Sequence, residues 1–242
     1  MGCGTDGCRW FGAVMEMMDI TIATVDYRLA LGYPFPTAIE DGADAVLWIV
    51  SQADRLGIDV DRGIVISGFS AEANLAFTVP LKLHQLNKDV HIAGIISWYP
   101  PTNYTLSRPE RNATNPRPEA GLPGYLTSLF DQSYLHPSGC ESDILVSPAL
   151  AMDEQLTRAL LRDIWIYTCE YDDLCDEGKK FAERLGKFKI VRYNMIPGVP
   201  HAWDKAPNSL WVNEIARERH RHAVMGLKEL WGFKLDQCSL LD

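Results

Sequence analysis

The sequence lacks any long hydrophobic run. No apolar window in its 242 residues approaches the roughly 18 residues that a membrane-spanning helix needs. The chain also does not open with a charged segment followed by an apolar run, which is the pattern of a secretory leader. We therefore expect a cytoplasmic protein that has no membrane span.

Positive charge is scarce as well. The chain has 23 Lys and Arg residues against 32 Asp and Glu residues, which gives a formal net charge of −9 at pH 7. Nucleic acids and anionic membranes would repel such a surface, so neither is expected as a partner. A small neutral or apolar substrate is more compatible with this charge.

The cysteines and histidines lack the spacings of known metal sites. The six cysteines contain no C-x-x-C pair, and no metal-ligand spacing joins them to the six histidines. We therefore expect free thiols in a reducing compartment, no metal site and no cofactor.

What the chain does contain is an alternation of short apolar runs with longer amphipathic stretches. Strands are predicted at residues 20–25, 64–67, 92–98, 164–169 and 190–196. Helices are predicted at residues 8–18, 37–57, 75–86, 149–161, around 181–188 and at 210–231. This order predicts an α/β fold with a mostly parallel sheet and helices on both faces. The length favours a single domain over residues 1–242.

Residues 102–147 interrupt the alternation. They are rich in Pro, Asn, Ser and aromatic side chains, with a short helix predicted near residues 125–130. An irregular segment of this length inside a compact domain usually has a function, so we expect an insertion that covers the substrate. A surface excursion without a function is the alternative.

The segment 63–76 contains the first candidate for chemistry. An apolar strand stops at Ser70 and continues at once into helix-forming sequence. This context predicts a nucleophile elbow, in which a sharp corner exposes the serine hydroxyl and the N–H of Ala71 faces the reacting oxygen. Glu72 departs from the G-x-S-x-G pattern, and its carboxylate would oppose a developing oxyanion. An ordinary loop serine is the alternative.

Two further candidates follow later strands. Asp172 and His201 each come after the carboxyl end of a predicted strand, where open parallel sheets place their sites. The order Ser, Asp, His is that of the α/β-hydrolases. An imidazole can accept the serine proton, and a carboxylate can orient the imidazole and stabilise its cation. Taken singly, Asp172 would also suit a helix cap or a solvated charge in an acidic run, and His201 an ordinary loop.

Four motifs resemble signatures of the hormone-sensitive-lipase-like carboxylesterases. Residues 25–41 are similar to V-D-Y-R-L-A-P-E-x-P-F-P-A-A-x-E-D, 68–76 to G-D-S-A-G-G-N-L-A, 171–178 to D-P-L-x-D-E-G, and 198–203 to G-x-x-H-x-F. The resemblance implies that Ser70 is the nucleophile, Asp172 the orienting acid and His201 the base of a serine esterase for small acyl esters. It is nearest to fungal members, some of which serve secondary metabolism.

The beginning of the chain departs from that family. The family has an H-G-G-G oxyanion loop ahead of the V-D-Y-R motif, and only residues 1–4 stand where that loop would end. We therefore expect an N-terminally truncated α/β-hydrolase whose N-terminal strands are missing and whose oxyanion hole is degraded. The exposed sheet edge is expected to favour self-association.

Two functional hypotheses follow from these observations. One is a carboxylesterase, with Phe69, Trp98 and Tyr99 as aromatic substrate contacts, although such residues are as often part of the core. The other is a catalytically impaired hydrolase-like protein that binds a small molecule or a partner. The retained His201 favours the enzyme, whereas Glu72 and the missing glycines favour the binder.

Overall fold

A computed structural model describes residues 4–136, 139–160, 163–205 and 210–233, of which residues 210–213 by their backbone alone. The helices in this part of the chain are α1 (Cys8–Met17), α2 (Thr37–Ser51), α3 (Ala53–Leu56), α4 (Ala71–Gln85), α5 (Arg108–Asn112), α6 (Gly124–Tyr134), α7 (Asp153–Ala159), α8 (Cys175–Leu185) and α9 (Leu210–Leu230). The strands are β1 (Ile64–Phe69), β2 (Ile92–Trp98), β3 (Asp163–Tyr171) and β4 (Ile190–Pro200).

The four strands of the described residues form one parallel sheet in the order β1-β2-β3-β4. Helix α4 connects β1 to β2 and α8 connects β3 to β4, whereas the longer segment with α5, α6 and α7 connects β2 to β3. Strand–helix–strand connections of this kind make neighbouring strands parallel. The predicted α/β architecture with a parallel sheet is therefore confirmed.

Each face of the sheet has its own core. Alternate residues of β3 divide between them, so that Ile164 and Ile166 join one core while Trp165 and Tyr167 join the other. The first core lies under α2, α4, α7 and α8, and the second lies under α1 and α9. Burial on both faces explains why these strands read as continuous apolar runs.

The predicted strand at residues 20–25 is wrong. These residues are described and belong to no strand, although Ile20 and Ile22 pack against the second core. A β-strand needs a neighbour whose backbone groups complete the ladder, and β1 is an edge of the sheet in the described residues. Residues 20–25 therefore have strand-like composition without forming a strand.

Several helix boundaries also differ from the predictions. The helix predicted at 37–57 breaks at Gln52 into α2 and α3, and α4 begins at Ala71, directly after the turn. The helix predicted at 149–161 is instead a 3₁₀ turn, Pro148–Leu150, followed by the shorter α7. Residue 161 lies outside the described residues. Among the described helices, none has the length and apolar character that crossing a membrane requires.

Candidate active site

The sheet places the three sequence candidates at the same end. Ser70 directly follows β1, Asp172 directly follows β3 and His201 directly follows β4. Because the strands are parallel, their carboxyl ends meet at one edge, and the loops after them lie close together. Groups that are far apart in the sequence can therefore touch.

Ser70 occupies a strained corner between β1 and α4. Its backbone has φ 54° and ψ −116°, a conformation that residues with a side chain rarely adopt. The helix backbone passes so close to the strand that a Cβ at Gly68 would overlap the carbonyl group of Glu72. This is the geometry of a nucleophile elbow, and it accommodates a glutamate at position 72.

A hydrogen-bonded chain joins the three side chains. Ser70 Oγ lies 2.8 Å from His201 Nε2, and His201 Nδ1 lies 2.7 Å from Asp172 Oδ2. Since an ionised carboxylate only accepts, the Nδ1 proton faces Asp172 and leaves Nε2 able to accept the serine proton. The side chains of His201 and Asp172 are only 6% and 4% exposed, so little water screens this pair.

Asp172 also orders the turn ahead of α8, although it is not the cap residue of that helix. Its second oxygen, Oδ1, accepts a hydrogen bond of 3.1 Å from the backbone N–H of Leu174, just ahead of α8. One carboxylate therefore orders its own turn and holds the histidine ring. The backbone contact fixes the direction in which Oδ2 points.

The beginning of α4 supplies the candidate oxyanion donor. Ala71 is the first residue of that helix, so its N–H is one of the groups that have no intrahelical acceptor. One turn further on, the buried amide of Asn74 donates to the carbonyl oxygens of Pro101 and Val146, each at 2.9 Å. These bonds tie α4 to both ends of the 102–147 segment.

Glu72 accepts a hydrogen bond from the hydroxyl of Tyr27. Burial and the neighbouring Glu72 carboxylate raise the pKa of Tyr27 well above its usual range, so the phenol stays protonated and remains a donor. Tyr27 belongs to the V-D-Y-R motif and Glu72 to the elbow motif. Nothing in the spacing of the two motifs indicated that they would meet.

The aromatic residues proposed as substrate contacts are buried. Trp98 is 0% exposed, Tyr99 1% and Phe69 9%, and all three belong to the second core. Phe69 and Trp98 stack with ring centroids 5.6 Å apart. Rings enclosed by protein in this way favour the alternative that the residues are part of the core. Their positions nevertheless adjoin the site, because Phe69 precedes Ser70.

Sequence reasoning missed a second buried carboxylate beside the histidine. Asp204 is 2% exposed, and its Oδ1 accepts a 2.6 Å hydrogen bond from the hydroxyl of Tyr99. Its Oδ2 lies 3.2 Å from Nζ of Lys205, which also stands 3.2 Å from the centroid of the Phe69 ring. The only signal in the sequence was the position of Asp204, three residues after His201.

The 102–147 segment is attached next to Asp172. Asn115 Nδ2 donates to Asp173 Oδ1 at 2.8 Å, and Arg111 Nε lies 2.8 Å from Glu177 Oε2 in a buried ion pair. Burial raises the pKa of Glu177, which Arg111 partly opposes. Part of the 102–147 segment therefore packs against the loop and the helix that follow β3.

Comparison with known proteins agrees with this geometry. A family model described as alpha/beta hydrolase fold matches residues 4–205. An arylesterase of Saccharolobus solfataricus is 31% identical over 199 residues, which are 79% of this chain and 60% of the arylesterase. An ethyl acetate hydrolase of Pseudomonas putida is 30% identical over 188 residues, which are 75% of this chain and 55% of that protein.

Solved structures agree on the fold. The structure of a fungal esterase from Rhizomucor miehei superposes with a TM-score of 0.84 at 24% identity, covering 96% of this chain and 71% of the esterase. The chain thus spans 60% or less of the length of the two curated relatives. The matched family region contains the elbow and the loops that follow β3 and β4. This chain belongs to the α/β-hydrolase fold family and, within it, to the hormone-sensitive-lipase-like family.

Proposed function

We propose that this chain is a serine carboxylesterase that cleaves a small acyl ester through Ser70, His201 and Asp172. The observation that carries the proposal is the continuous hydrogen-bonded chain from Ser70 Oγ through His201 to Asp172, with distances of 2.8 and 2.7 Å. The strained φ of Ser70 supports it, because backbone strain of this kind concentrates at functional sites.

The first half of the reaction forms an acyl-enzyme. Ser70 Oγ attacks the ester carbonyl carbon while His201 Nε2 takes the hydroxyl proton, and Asp172 stabilises the imidazolium that results. The carbonyl oxygen becomes an oxyanion that accepts a hydrogen bond from the N–H of Ala71. When the intermediate collapses, the bond to the alcohol breaks and His201 donates its proton to the departing oxygen.

Water completes the reaction along the same path. His201 Nε2 accepts a proton from a water molecule that attacks the acyl carbon, and a second oxyanion forms beside Ala71. Collapse of this intermediate returns the proton to Ser70 Oγ and releases the carboxylic acid. This reaction needs no metal or redox cofactor, because every step transfers only a proton or an acyl group.

The proposed oxyanion site has a carboxylate close to its backbone donor, because Ala71 and Glu72 are the first two residues of α4. Ala71 supplies a backbone donor, and a negative charge close to that donor would oppose the developing oxyanion. Glu72 adds a negative charge in the same helix turn. We therefore propose a degraded oxyanion hole and weak hydrolysis of simple esters by this chain.

The 102–147 segment is proposed to cover the substrate. Its contacts with Asp173 and Glu177 hold it at the carboxyl end of β3, beside the acid of the site. The substrate remains a small-molecule ester, for which the resemblance to fungal members suggests an acetyl ester of a secondary metabolite. A cytoplasmic location is consistent with Cys8, Cys140, Cys169 and Cys175, which are free thiols.

A catalytically impaired protein that binds a small molecule or a partner is the second candidate. The contact between Tyr27 and Glu72 favours it, because it keeps a carboxylate beside the elbow where the family pattern has glycine. Exposed apolar side chains in the segment before α2 also favour self-association, with Leu31 75% exposed.

Labelling with a fluorophosphonate probe distinguishes the two candidates. The carboxylesterase requires covalent labelling of the full chain that Ser70→Ala abolishes, with slow hydrolysis of p-nitrophenyl acetate. The binder requires that Ser70 remain unlabelled while the folded protein binds small molecules. Labelling that survives in Ser70→Ala would show that another residue reacts and would contradict the assignment of Ser70.

A further inference from the structure

Beyond the three proposed catalytic residues, a second buried network contacts His201. The ring of Tyr99 meets the ring of His201 in a T-shaped contact, with centroids 4.8 Å apart and an interplanar angle of 66°. Aromatic rings prefer this edge-to-face arrangement, so Tyr99 limits the rotation of the imidazole. Asp172 contacts the imidazole at Nδ1 alone, whereas the ring of Tyr99 packs against the imidazole ring.

The ring of Tyr99 is itself held by Asp204. The Tyr99 hydroxyl donates to Asp204 Oδ1 at 2.6 Å, and both residues are almost completely buried. Burial and the neighbouring Asp204 carboxylate raise the pKa of Tyr99 well above its usual value, which keeps the hydroxyl protonated as a donor. A buried hydrogen bond to a carboxylate is among the stronger ones in proteins.

The turn that carries His201 contains the same carboxylate. Residues 201–205 form one turn, in which the Lys205 N–H donates to the carbonyl oxygen of Ala202 at 3.0 Å. Ala202 has φ 57°, so this turn is strained directly after the histidine. Its shape is held by contacts of Asp204 and Lys205 rather than by regular secondary structure.

Residues near the beginning of the described chain form hydrogen bonds with this turn. Arg9 donates to the backbone carbonyl oxygen of Asp204 at 3.1 Å, and Lys205 Nζ donates to the carbonyl oxygen of Asp6 at 3.1 Å. Tyr99 directly follows β2, so the network connects an inner strand of the sheet, the histidine turn, and α1 together with Asp6 just before it. Three separate parts of the chain therefore determine where the histidine turn lies.

We propose that Tyr99 and Asp204 act as one positioning pair for His201, holding its ring in the plane that joins Ser70 to Asp172. The inference rests on the proposed function, because it assigns these residues to the same reaction. It also gives Tyr99 a different role from substrate contact. The pair touches no substrate and acts only through the orientation of the imidazole.

The test compares Tyr99→Phe, Asp204→Leu and the double variant in the full chain. The first removes only the hydroxyl, and the second removes its acceptor. We expect each single variant to lower the second-order rate constant of fluorophosphonate labelling at Ser70 by about 10- to 100-fold, since a misplaced catalytic group costs about that much. The double variant should be no slower than the slower single variant, because the two residues act as a unit.

Two further variants separate positioning from loss of stability. Asp204→Asn keeps an oxygen that accepts from Tyr99 and should label within about threefold of the unmodified chain. Tyr167→Phe is the matched control, because it also removes a buried tyrosine hydroxyl from the second core, one that lies 2.8 Å from His222 Nδ1. It should leave labelling unchanged. Should Asp204→Leu fail to fold, Tyr99→Phe and Asp204→Asn carry the comparison.

A proton NMR spectrum provides a readout that does not need activity. The proton between His201 Nδ1 and Asp172 should give a downfield resonance that is shifted or lost in Tyr99→Phe and kept in Tyr167→Phe. If the unmodified chain is not labelled, the esterase proposal fails while this resonance still tests the pair. Unchanged labelling together with an unchanged resonance in Tyr99→Phe would overturn the inference, and so would single effects that simply multiply in the double variant.

Discussion

The hydroxyl of Tyr27 donates a hydrogen bond to the carboxylate of Glu72, 45 positions further along the chain. Glu72 stands in the first turn of α4, directly after the elbow, where a negative charge is favoured by the helix dipole. One oxygen of the Glu72 carboxylate accepts from the neutral hydroxyl of Tyr27, which holds the side chain in place. The elbow therefore keeps its geometry although the family pattern has glycine at this position.

Removing the charge of Glu72 should activate Ser70. Glu72→Gln keeps an acceptor for Tyr27 and abolishes the negative charge near the developing oxyanion. We expect fluorophosphonate labelling to become roughly tenfold faster, which corresponds to about 1.4 kcal/mol of barrier. Glu183→Gln on the exposed surface of α8 is the control and should change nothing. An unaltered rate in Glu72→Gln would show that Glu72 does not impair the oxyanion site.

Replacing Asp172, the proposed orienting acid, should be far more damaging than replacing its neighbour Asp173. Asp172→Asn presents a donor to His201 and favours the wrong tautomer, so labelling of Ser70 should fall by about 10⁴-fold, as in other serine triads. Asp173→Asn is the matched control, because its carboxylate contacts Asn115 of the insertion. It should lower the rate by less than about tenfold. Equal losses in both variants would contradict the assignment of Asp172.

The buried ion pair between Arg111 and Glu177 should contribute strongly to stability. Their side chains are 2% and 3% exposed, so Arg111→Met leaves an unpaired buried carboxylate and should lower the free energy of unfolding by about 3–5 kcal/mol. Chemical denaturation measures this change. Arg158→Met is the control, because the Arg158–Glu154 pair is exposed and should contribute less than about 1 kcal/mol. A similar loss in both variants would rule out the expected role of burial.

Acid should destabilise the fold through His220. The pKa of His220 is lowered from 6.5 to about 4, chiefly by burial among Trp10, Phe69 and Trp98. The Asp204 carboxylate opposes this shift, and the positive charges of Lys205 and Arg9 contribute to it. The unfolded chain binds the proton more tightly, so stability is complete above pH 6.5 and is lost as the pH falls toward 4. The loss should reach about 3 kcal/mol.

His220→Phe should remove this part of the acid response. Denaturation midpoints measured between pH 7 and pH 4 should then fall less steeply than in the unmodified chain. The comparison uses the change with pH rather than absolute stability, so a packing effect of the new ring does not obscure it. Identical pH dependence in both proteins would mean that His220 is not the titrating group.

Self-association is expected through exposed apolar side chains in the segment before α2. Leu29, Leu31 and Tyr33 are 42%, 75% and 49% exposed, and apolar groups of this size favour contacts between molecules. Sedimentation should show mass that increases with concentration, and Leu31→Lys should reduce the increase. Tyr125→Lys, which replaces a 73% exposed aromatic residue on α6, is the control. A monomer at all concentrations would contradict this expectation.

The sequence by itself determined the framework. Apolar β-branched runs predicted four strands of the described sheet because burial on both faces leaves a continuous apolar signature. The strand–helix alternation made those strands parallel, and parallel strands bring the residues after them to one edge. The proximity of Ser70, Asp172 and His201 therefore followed from local patterns together with a general rule of topology.

Only the tertiary structure decided the rest. Residues 20–25 have the composition of a strand, but pairing depends on a neighbour that local sequence does not specify. The pairs Tyr27–Glu72, Tyr99–Asp204 and Arg111–Glu177 join residues 45, 105 and 66 positions apart, and no local periodicity links such partners. Buried polar groups find their partners only when the fold removes them from water and brings the elements together.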